Sequence, residues 1–255
     1  MSRFNLEFFI ETFFLTLRGI PVTMAITAVS LVLPTPVAFC MAMSKMHRLP
    51  VAGQASSFYI SFVQGTPAAV QIMLVYSLAP SIIASFFKSI GSGLNVFDTN
   101  PIVYAYIIFS LNTAAVLSEV FRSALQTVDR GQQEAAYAAG LSPLQTYIRI
   151  ILPQALVVAL PNICNVTVNL IKGTSLVFLM AVKDITAIAK IEASFGYNYI
   201  EAYLDIWIVY IILCSSVEAL FKLAEQIMRA YRGETPPRFM KFTAERGEKL
   251  NAQRL

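Results

Sequence analysis

Five long apolar runs limit what this chain can fold into more than any other feature of its sequence. They cover residues 19–43, 58–80, 101–118, 154–182 and 204–221. Each offers about 18 or more mostly apolar positions, enough for a helix to cross the roughly 30 Å hydrocarbon core of a bilayer. The alternating pattern of a membrane β-barrel is absent. The sequence therefore predicts an all-α, polytopic membrane protein with about five transmembrane helices.

The charged residues agree with a membrane location. They make up 13% of the chain, whereas a soluble domain carries roughly 25%. The formal net charge of +4 comes from basic residues in the connecting segments and the C-terminal tail, so we interpret it as topology and expect no nucleic-acid binding. The single histidine and the absence of a nucleophile–base or metal-ligand pattern predict no catalytic site and no metal site.

The same basic residues predict the orientation, because cytoplasmic loops are enriched in Lys and Arg. Lys45 and Arg48 follow the first run, and further arginines flank the segment between the third and fourth runs. We therefore expect the N-terminus outside and the C-terminus in the cytoplasm. The chain divides into an interfacial amphipathic helix at 1–18, a transmembrane domain at 19–228 and a basic cytoplasmic tail at 229–255.

A cytoplasmic segment at 129–153 has the sequence of two helices joined by a sharp bend. Asp129 is placed to cap the first helix, and Gly140 is a natural helix stop. Ser142 then caps a second helix with Pro143 in its first position, and Pro153 starts or kinks the next span. An ordinary helical loop would satisfy these signals equally well.

The string GQQEAAYAAGLS followed by ILPQAL resembles the EAA loop of ABC importer permeases, and the stretch from FRSALQ to KGTSL resembles their polar amino acid uptake branch. The resemblance covers roughly residues 12–225 and implies a type I ABC importer permease fold. It implies that the loop docks on a separate ATPase subunit. The implied coupling residues are Gln133, Glu134, Ala135, Ala136 and Gly140.

A polar stripe runs through the fourth apolar run. Asn162, Asn165, Asn169 and Lys172 recur at steps of three, four and three, which places them on one helix face. Charged and polar side chains at membrane depth face protein or a wet cavity. The structural alternative is that the asparagines hold helices together and Lys172 snorkels to the interface.

Residues 154–182 would span about 43 Å as one helix, which is longer than the bilayer core. We therefore predict a break at Gly173 and a new helix that begins in the membrane, with Thr174 or Ser175 as its cap. A free helix N-terminus beside Lys172 would attract a carboxylate. The predicted substrate pathway consists of Asn165, Asn169, Lys172, Thr174, Ser175, Gln71 and Gln64.

A second polar face lies on the third run, where Asn112, Ala115, Glu119 and Arg122 share similar spacing. Glu119 and Arg122 lie three residues apart near the cytoplasmic end, which favours an ordinary structural ion pair. That pairing leaves no clear partner for a cationic substrate side chain. We therefore expect a neutral, cystine-like or acidic amino acid.

No phosphate-binding G-x-x-x-x-G-K-[ST] loop occurs in the chain, so we expect ATP and Mg²⁺ to bind a partner and no cofactor to bind this chain. The resemblance implies three protein partners: an ATP-binding cassette ATPase, an extracytoplasmic amino-acid-binding protein, and a second permease copy or paralogue. It implies a place in the bacterial inner membrane. The alternative is an ion-coupled secondary transporter, which needs an internal repeat or acidic coupling groups in the membrane.

Overall fold

The computed structural model describes residues 4–89 and 99–231, and every regular element in these ranges is helical. The α-helices are α1 Leu6–Thr16, α2 Ile20–Val32, α3 Thr35–Met46, α4 Pro50–Gly65, α5 Ala68–Ser89, α6 Pro101–Gln126, α7 Arg130–Ala138, α8 Pro143–Thr146, α9 Leu152–Gly173, α10 Ile185–Gly196 and α11 Tyr199–Tyr231. Most of the predicted tail at 229–255 lies outside the described residues, as do residues 1–3.

Five helical stretches in the described residues are long and apolar enough to cross a membrane, which confirms the predicted number. They are Leu6–Met46, Ala68–Ser89, Pro101–Gln126, Pro143–Met180 and Tyr199–Ala230. α6 is the central helix and packs against α2, α3, α4, α5 and α9. α11 packs against α1, α9 and α10 on the other side of α9. α9 therefore lies between the central helix and α11.

The second predicted span, 58–80, is wrong as a single helix. α4 ends at Gly65, and α5 starts at Ala68. Thr66 between them is extended, with φ −117° and ψ 144°. The cause is Pro67, which lacks an N–H and disfavours helical backbone in the residue before it. The candidate span in this region is the later stretch Ala68–Ser89.

The break in the fourth span differs from the prediction. The α-helix ends at Gly173 as predicted, but the chain continues as a 3₁₀ helix over Thr174–Met180 and turns at Ala181, whose φ is 57°. Thr174 does not cap a new helix, because its hydroxyl donates to the carbonyl of Ile171 at 2.7 Å. Its backbone N–H also donates back to carbonyls of α9. The predicted free N-terminus is therefore not formed, since tighter 3₁₀ bonds use those N–H groups.

The N-terminal helices pack tightly on α10 and α11. The backbone N–H of Asn5 donates to Glu201 of α11 at 2.7 Å, and α1 continues through a 3₁₀ turn at Leu17–Gly19 into α2. A Cβ on Gly19 would lie 2.4 Å from the backbone nitrogen of Ile185, so only glycine fits there. The placement of 1–18 at the membrane interface stays a prediction.

Asp184 caps the start of α10, next to the contact between Gly19 and Ile185. Its carboxylate is fully buried and accepts from the N–H of Ala187 at 2.8 Å and from the hydroxyl of Tyr210 at 3.2 Å. Burial raises the pKa of the Asp184 carboxyl, although these hydrogen bonds act in the opposite direction. The arrangement joins α10 to α11 through a buried hydrogen-bonded group.

Candidate functional site

The segment at 129–153, which we call the elbow, has the predicted helix ends. Asp129 caps α7 by accepting from the N–H of Gly131 at 2.7 Å. Gly140 ends it with φ +81°. The N–H of Leu141 donates to the carbonyl of Ala136 at 3.1 Å, and that of Gly140 to Tyr137 at 2.9 Å. This pattern is a Schellman motif, which needs a left-handed residue where Gly140 stands.

The second half of the elbow leads directly into the membrane. Ser142 and Gln145 form a reciprocal capping box, with N–H to side-chain distances of 2.9 Å and 3.3 Å. α8 then continues through a π-helical turn at Tyr147–Ile151 into α9. Pro153 explains this wide turn, since its ring crowds the preceding turn and offers no N–H to it. α8, the π turn and α9 therefore form one continuous rod.

The predicted coupling residues occupy different environments within the elbow. Glu134, Ala135 and Gly140 are exposed. Gln133 is half-buried and donates to the hydroxyl of Tyr137 at 2.8 Å. Ala136 is buried, and α7 packs against the π turn. Large apolar side chains are also exposed here, namely Tyr137, Leu144 and Ile148. Small exposed alanines beside large apolar groups suit contact with another protein surface.

A cavity of about 430 Å³ lies between α5, α6 and α9. Its lining consists of Ala68, Ile72, Ile108, Phe109, Asn112, Thr113, Val116, Val120, Asn162, Asn165, Val166, Asn169, Leu170 and Gly173. None of these side chains is charged. The three α9 asparagines are exposed, and their amides have no hydrogen-bond partner among the described residues. The cavity is therefore an open groove with unused neutral hydrogen-bonding groups.

The structure brings only part of the predicted pathway to this groove. Asn165 and Asn169 line it. Gln71 lies behind it and is joined to Asn112 by a hydrogen bond of 2.8 Å. The remaining predicted residues lie outside the lining: Lys172 and Gln64 are exposed, Ser175 is half-buried, and Thr174 is fully buried. Their role in the pathway stays a prediction.

The ion pair on α6 has a third member that the spacing of the residues does not predict. Arg122 Nη2 lies 2.7 Å from Glu119 Oε2, as the spacing predicted. The other carboxylate oxygen of Glu119 pairs with Lys45 at the end of α3. Lys45 is distant from Glu119 in sequence. In the sequence it stood out only as one of the basic residues that predict the orientation. The network joins α3 to α6 at the end of the molecule that carries the elbow.

These features define a class of protein: a multi-pass helical membrane protein with a polar groove between candidate membrane-spanning helices and an exposed elbow continuous with a groove helix. The model of the family described as binding-protein-dependent transport system inner membrane component matches residues 34–230. The chain belongs to this family. It is the transmembrane subunit of an importer rather than an enzyme, and membership implies an ATPase partner and a substrate-binding protein.

Similar proteins support the same assignment. The chain is 34% identical over 233 residues to the probable amino-acid permease protein YxeN of Bacillus subtilis (strain 168), covering 91% of this chain and 100% of the relative. It is 33% identical over 207 residues to the L-cystine transport system permease protein TcyL of the same organism, covering 81% and 84%.

A solved structure shows the same fold. The crystal structure of an amino acid ABC transporter with histidines matches with a TM-score of 0.72 and 24% identity, covering 89% of this chain and 99% of that chain. The ABC importer permease fold predicted from the sequence is therefore confirmed. The family also decides against the ion-coupled secondary transporter.

Proposed function

We propose that this chain forms the membrane pathway of an ATP-driven amino-acid importer and couples it to the ATPase through the elbow. One observation carries the proposal: α9 presents Asn165 and Asn169 to the groove and is continuous with α8 at the other end. A displacement of the elbow therefore reaches the groove along helical backbone that contains Pro161 but is not interrupted. The amino-acid relatives support the choice of substrate class.

The packing around the elbow supports a rigid transmission. Ile151 and Ala155 are buried in one apolar cluster with Leu125 of α6, and Phe39 and Met43 of α3 pack against it. These contacts link the three helices beside an apolar cavity of about 320 Å³ that lies between them, so a displacement of one helix is passed to the others through the contacts. ATP-driven closure of the ATPase subunits would thus turn α3, α6 and α9 together and shift the groove between outward- and inward-facing states.

The groove supports assembly with a second permease chain. Asparagines exposed to hydrocarbon lose the hydrogen bonds that water or protein would supply. A second copy or a paralogue placed over α5 and α9 would cover them and complete the pathway around a two-fold or pseudo-two-fold axis. We propose that Lys172, Thr174, Ser175 and Gln64 border the pathway beyond the central groove.

The substrate is proposed to be a neutral amino acid. Among the described residues, the groove lining offers asparagine amides and the hydroxyl of Thr113 but no carboxylate for a cationic side chain. Glu119 is already paired with Lys45 and Arg122. Binding a lysine or arginine side chain without a counter-charge at membrane depth would cost several kcal/mol, roughly the penalty of burying an unpaired ion.

The direct test is reconstitution of the permease with its ATPase and external binding protein in liposomes. We expect ATP-dependent accumulation of a radiolabelled amino acid. Replacing Glu134 with Arg places the opposite charge on the docking surface and should abolish ATPase association while the chain remains inserted. The matched control is Glu7→Arg, a charge reversal near the other end of the chain. Unchanged association in Glu134→Arg would contradict the docking role.

Orientation has its own test. A cytoplasmic activity reporter fused after Leu255 should be active, and one inserted at Ser92 should be inactive. Ser92 lies outside the described residues, so this experiment depends only on the distribution of basic residues. Reversed activities would refute an external N-terminus and a cytoplasmic C-terminus.

A further inference from the structure

The break between α4 and α5 leaves carbonyl groups that a continuous helix would satisfy. The carbonyl of Val63 would normally accept from residue 67, but Pro67 has no N–H. The side chain of Gln71 supplies the missing donor. Its Nε2 lies 2.8 Å from the carbonyl oxygen of Val63 and 3.2 Å from that of Thr66. Gln71 therefore closes the break in the chain.

These contacts decide which way the Gln71 amide faces. Carbonyl oxygens only accept, so the NH₂ group must point toward α4. The hydroxyl of Thr66 gives its proton to the carbonyl of Phe62 at 2.9 Å, and it is therefore an acceptor for Gln71 as well. Two independent partners thus require the same orientation. The oxygen Oε1 is left to face α6.

The orientation passes to Asn112 on α6. Its Nδ2 donates to Gln71 Oε1 at 2.8 Å and to the carbonyl of Ile108 at 3.1 Å. An amide NH₂ has two protons, and both are used. The remaining polar atom is Oδ1, which accepts no hydrogen bond from any described residue. Asn112 lines the groove, so it presents an acceptor there.

We propose that Asn112 Oδ1 is a binding group for the α-ammonium of the substrate, and that Gln71 is the positioning residue that holds it in place. This inference rests on the proposed amino-acid transport. An ammonium group has only donors, so it needs acceptors. Asn165 and Asn169 are free to rotate and donate their N–H groups to the α-carboxylate from the α9 side. The groove thus recognises the α-ammonium and α-carboxylate groups shared by all amino acids. The ammonium is bound from α6, and the carboxylate is bound from α9.

The test measures binding to the detergent-purified permease–ATPase complex without the external binding protein, which also recognises amino acids. The probe is a radiolabelled mixture of L-amino acids and L-cystine, from which the species retained by the wild type is identified. Its deaminated acid and its α-amide, which lacks the carboxylate, then compete against it. The deaminated acid should compete about tenfold to a hundredfold more weakly than the amino acid, as expected for loss of a hydrogen bond to a charged group.

Asn112→Leu should reduce the ratio of the two affinities, amino acid over deaminated acid, to about threefold or less, because the residual discrimination would rest on neutral contacts. The corresponding ratio for the α-amide should be unchanged. Gln71→Leu should reduce the first ratio by a smaller factor, since the Asn112 amide could then turn. If Asn112 and Gln71 had a purely structural role, their substitution would weaken the binding of all competitors equally and leave both ratios unchanged. Gln54→Leu removes an exposed amide elsewhere on α4 and should change neither ratio.

An unchanged ratio in Asn112→Leu overturns the inference. If that variant does not assemble, Gln71→Leu decides: a smaller ratio for the deaminated acid with an unchanged ratio for the α-amide supports the inference, and an unchanged ratio for both refutes it. A wild type that binds no amino acid refutes the proposed function together with this inference. Binding with an unaffected ratio refutes the inference alone.

Discussion

The elbow is held by hydrogen bonds between residues close in sequence, whereas the groove depends on a hydrogen bond between residues far apart in sequence. Within the elbow, the caps of α7 and α8 join residues at most five positions apart, as between Leu141 and Ala136. The groove depends on the bond between Gln71 and Asn112, which are 41 positions apart. Local bonds are determined by residue order, whereas the distant one needs the packing of α5 on α6. The coupling segment is therefore a local motif placed on a rod, and the groove is a product of tertiary packing.

This difference predicts how the two regions respond to substitution. In the elbow, a change acts through the backbone and the angle of α7, so it should alter coupling while substrate recognition is preserved. In the groove, a change acts on binding and should leave association with the ATPase intact. The variants at Gly140, Asn169 and Ser142 test that separation, and Lys45→Met tests the ion pair that joins α3 to α6.

Gly140→Val should have the largest effect. A Cβ there would meet no atom within 4 Å, so the cost comes only from φ +81°, which disfavours β-branched residues. The left-handed conformation costs about 1–2 kcal/mol in non-glycine residues, and the bend would open. ATP-driven uptake in proteoliposomes should fall about fivefold to thirtyfold, while substrate binding is unchanged.

The matched variant for that position is Gly140→Asn, since asparagine tolerates left-handed backbone. It should retain most of the uptake. Wild-type transport in both variants would show that the bend is not required for coupling.

Asn169→Leu should have the next largest effect, and it should exceed that of Lys172→Met. Loss of one hydrogen bond to the charged α-carboxylate, with Asn165 still in place, is worth about 1.5 kcal/mol, which corresponds to roughly tenfold weaker substrate binding. Lys172 is exposed and outside the groove lining, so its substitution should change binding less than about twofold.

The measurement is substrate affinity of the reconstituted complex for both variants in parallel. The sequence argument, in which Lys172 meets a carboxylate, predicts the reverse order with a loss of about ten- to a hundredfold for Lys172→Met. The observed order therefore distinguishes the two hypotheses directly.

Ser142→Ala should loosen the elbow without touching the groove. It removes half of the capping box at α8, a loss of about 1 kcal/mol. Amide hydrogen exchange in α8 should accelerate about fivefold, and substrate affinity should not change. Ser142→Thr keeps the capping oxygen and serves as the control. Equal exchange in Ser142→Ala and wild type would mean that the rod alone holds α8 in place.

Lys45→Met should have the smallest effect. Glu119 keeps its pairing with Arg122, and all three side chains are partly exposed. Such pairs contribute about 0–1 kcal/mol, so the thermal unfolding midpoint of the purified chain should fall only slightly. A loss of folding would instead indicate that Glu119 needs both basic partners.

Much of the molecule followed from the order of residues alone. The number of spans, the caps at Asp129 and Ser142, the stop at Gly140 and the family resemblance all depend on hydrophobic runs or on groups a few residues apart. These signals are reliable because in a bilayer every backbone polar group must be satisfied within the helix or at its ends.

Tertiary structure decided the rest. The hydropathy pattern predicted one helix through Pro67, and only the packing of α5 on α6 showed that Gln71 replaces the missing N–H and orients the amide of Asn112. The same holds at Thr174, where a bond back to Ile171 prevailed over a forward cap. Hydropathy and spacing identify which face of a helix is polar. They do not identify the donor that meets each acceptor, because a side-chain amide or hydroxyl has several partners within reach and the neighbouring helix selects one.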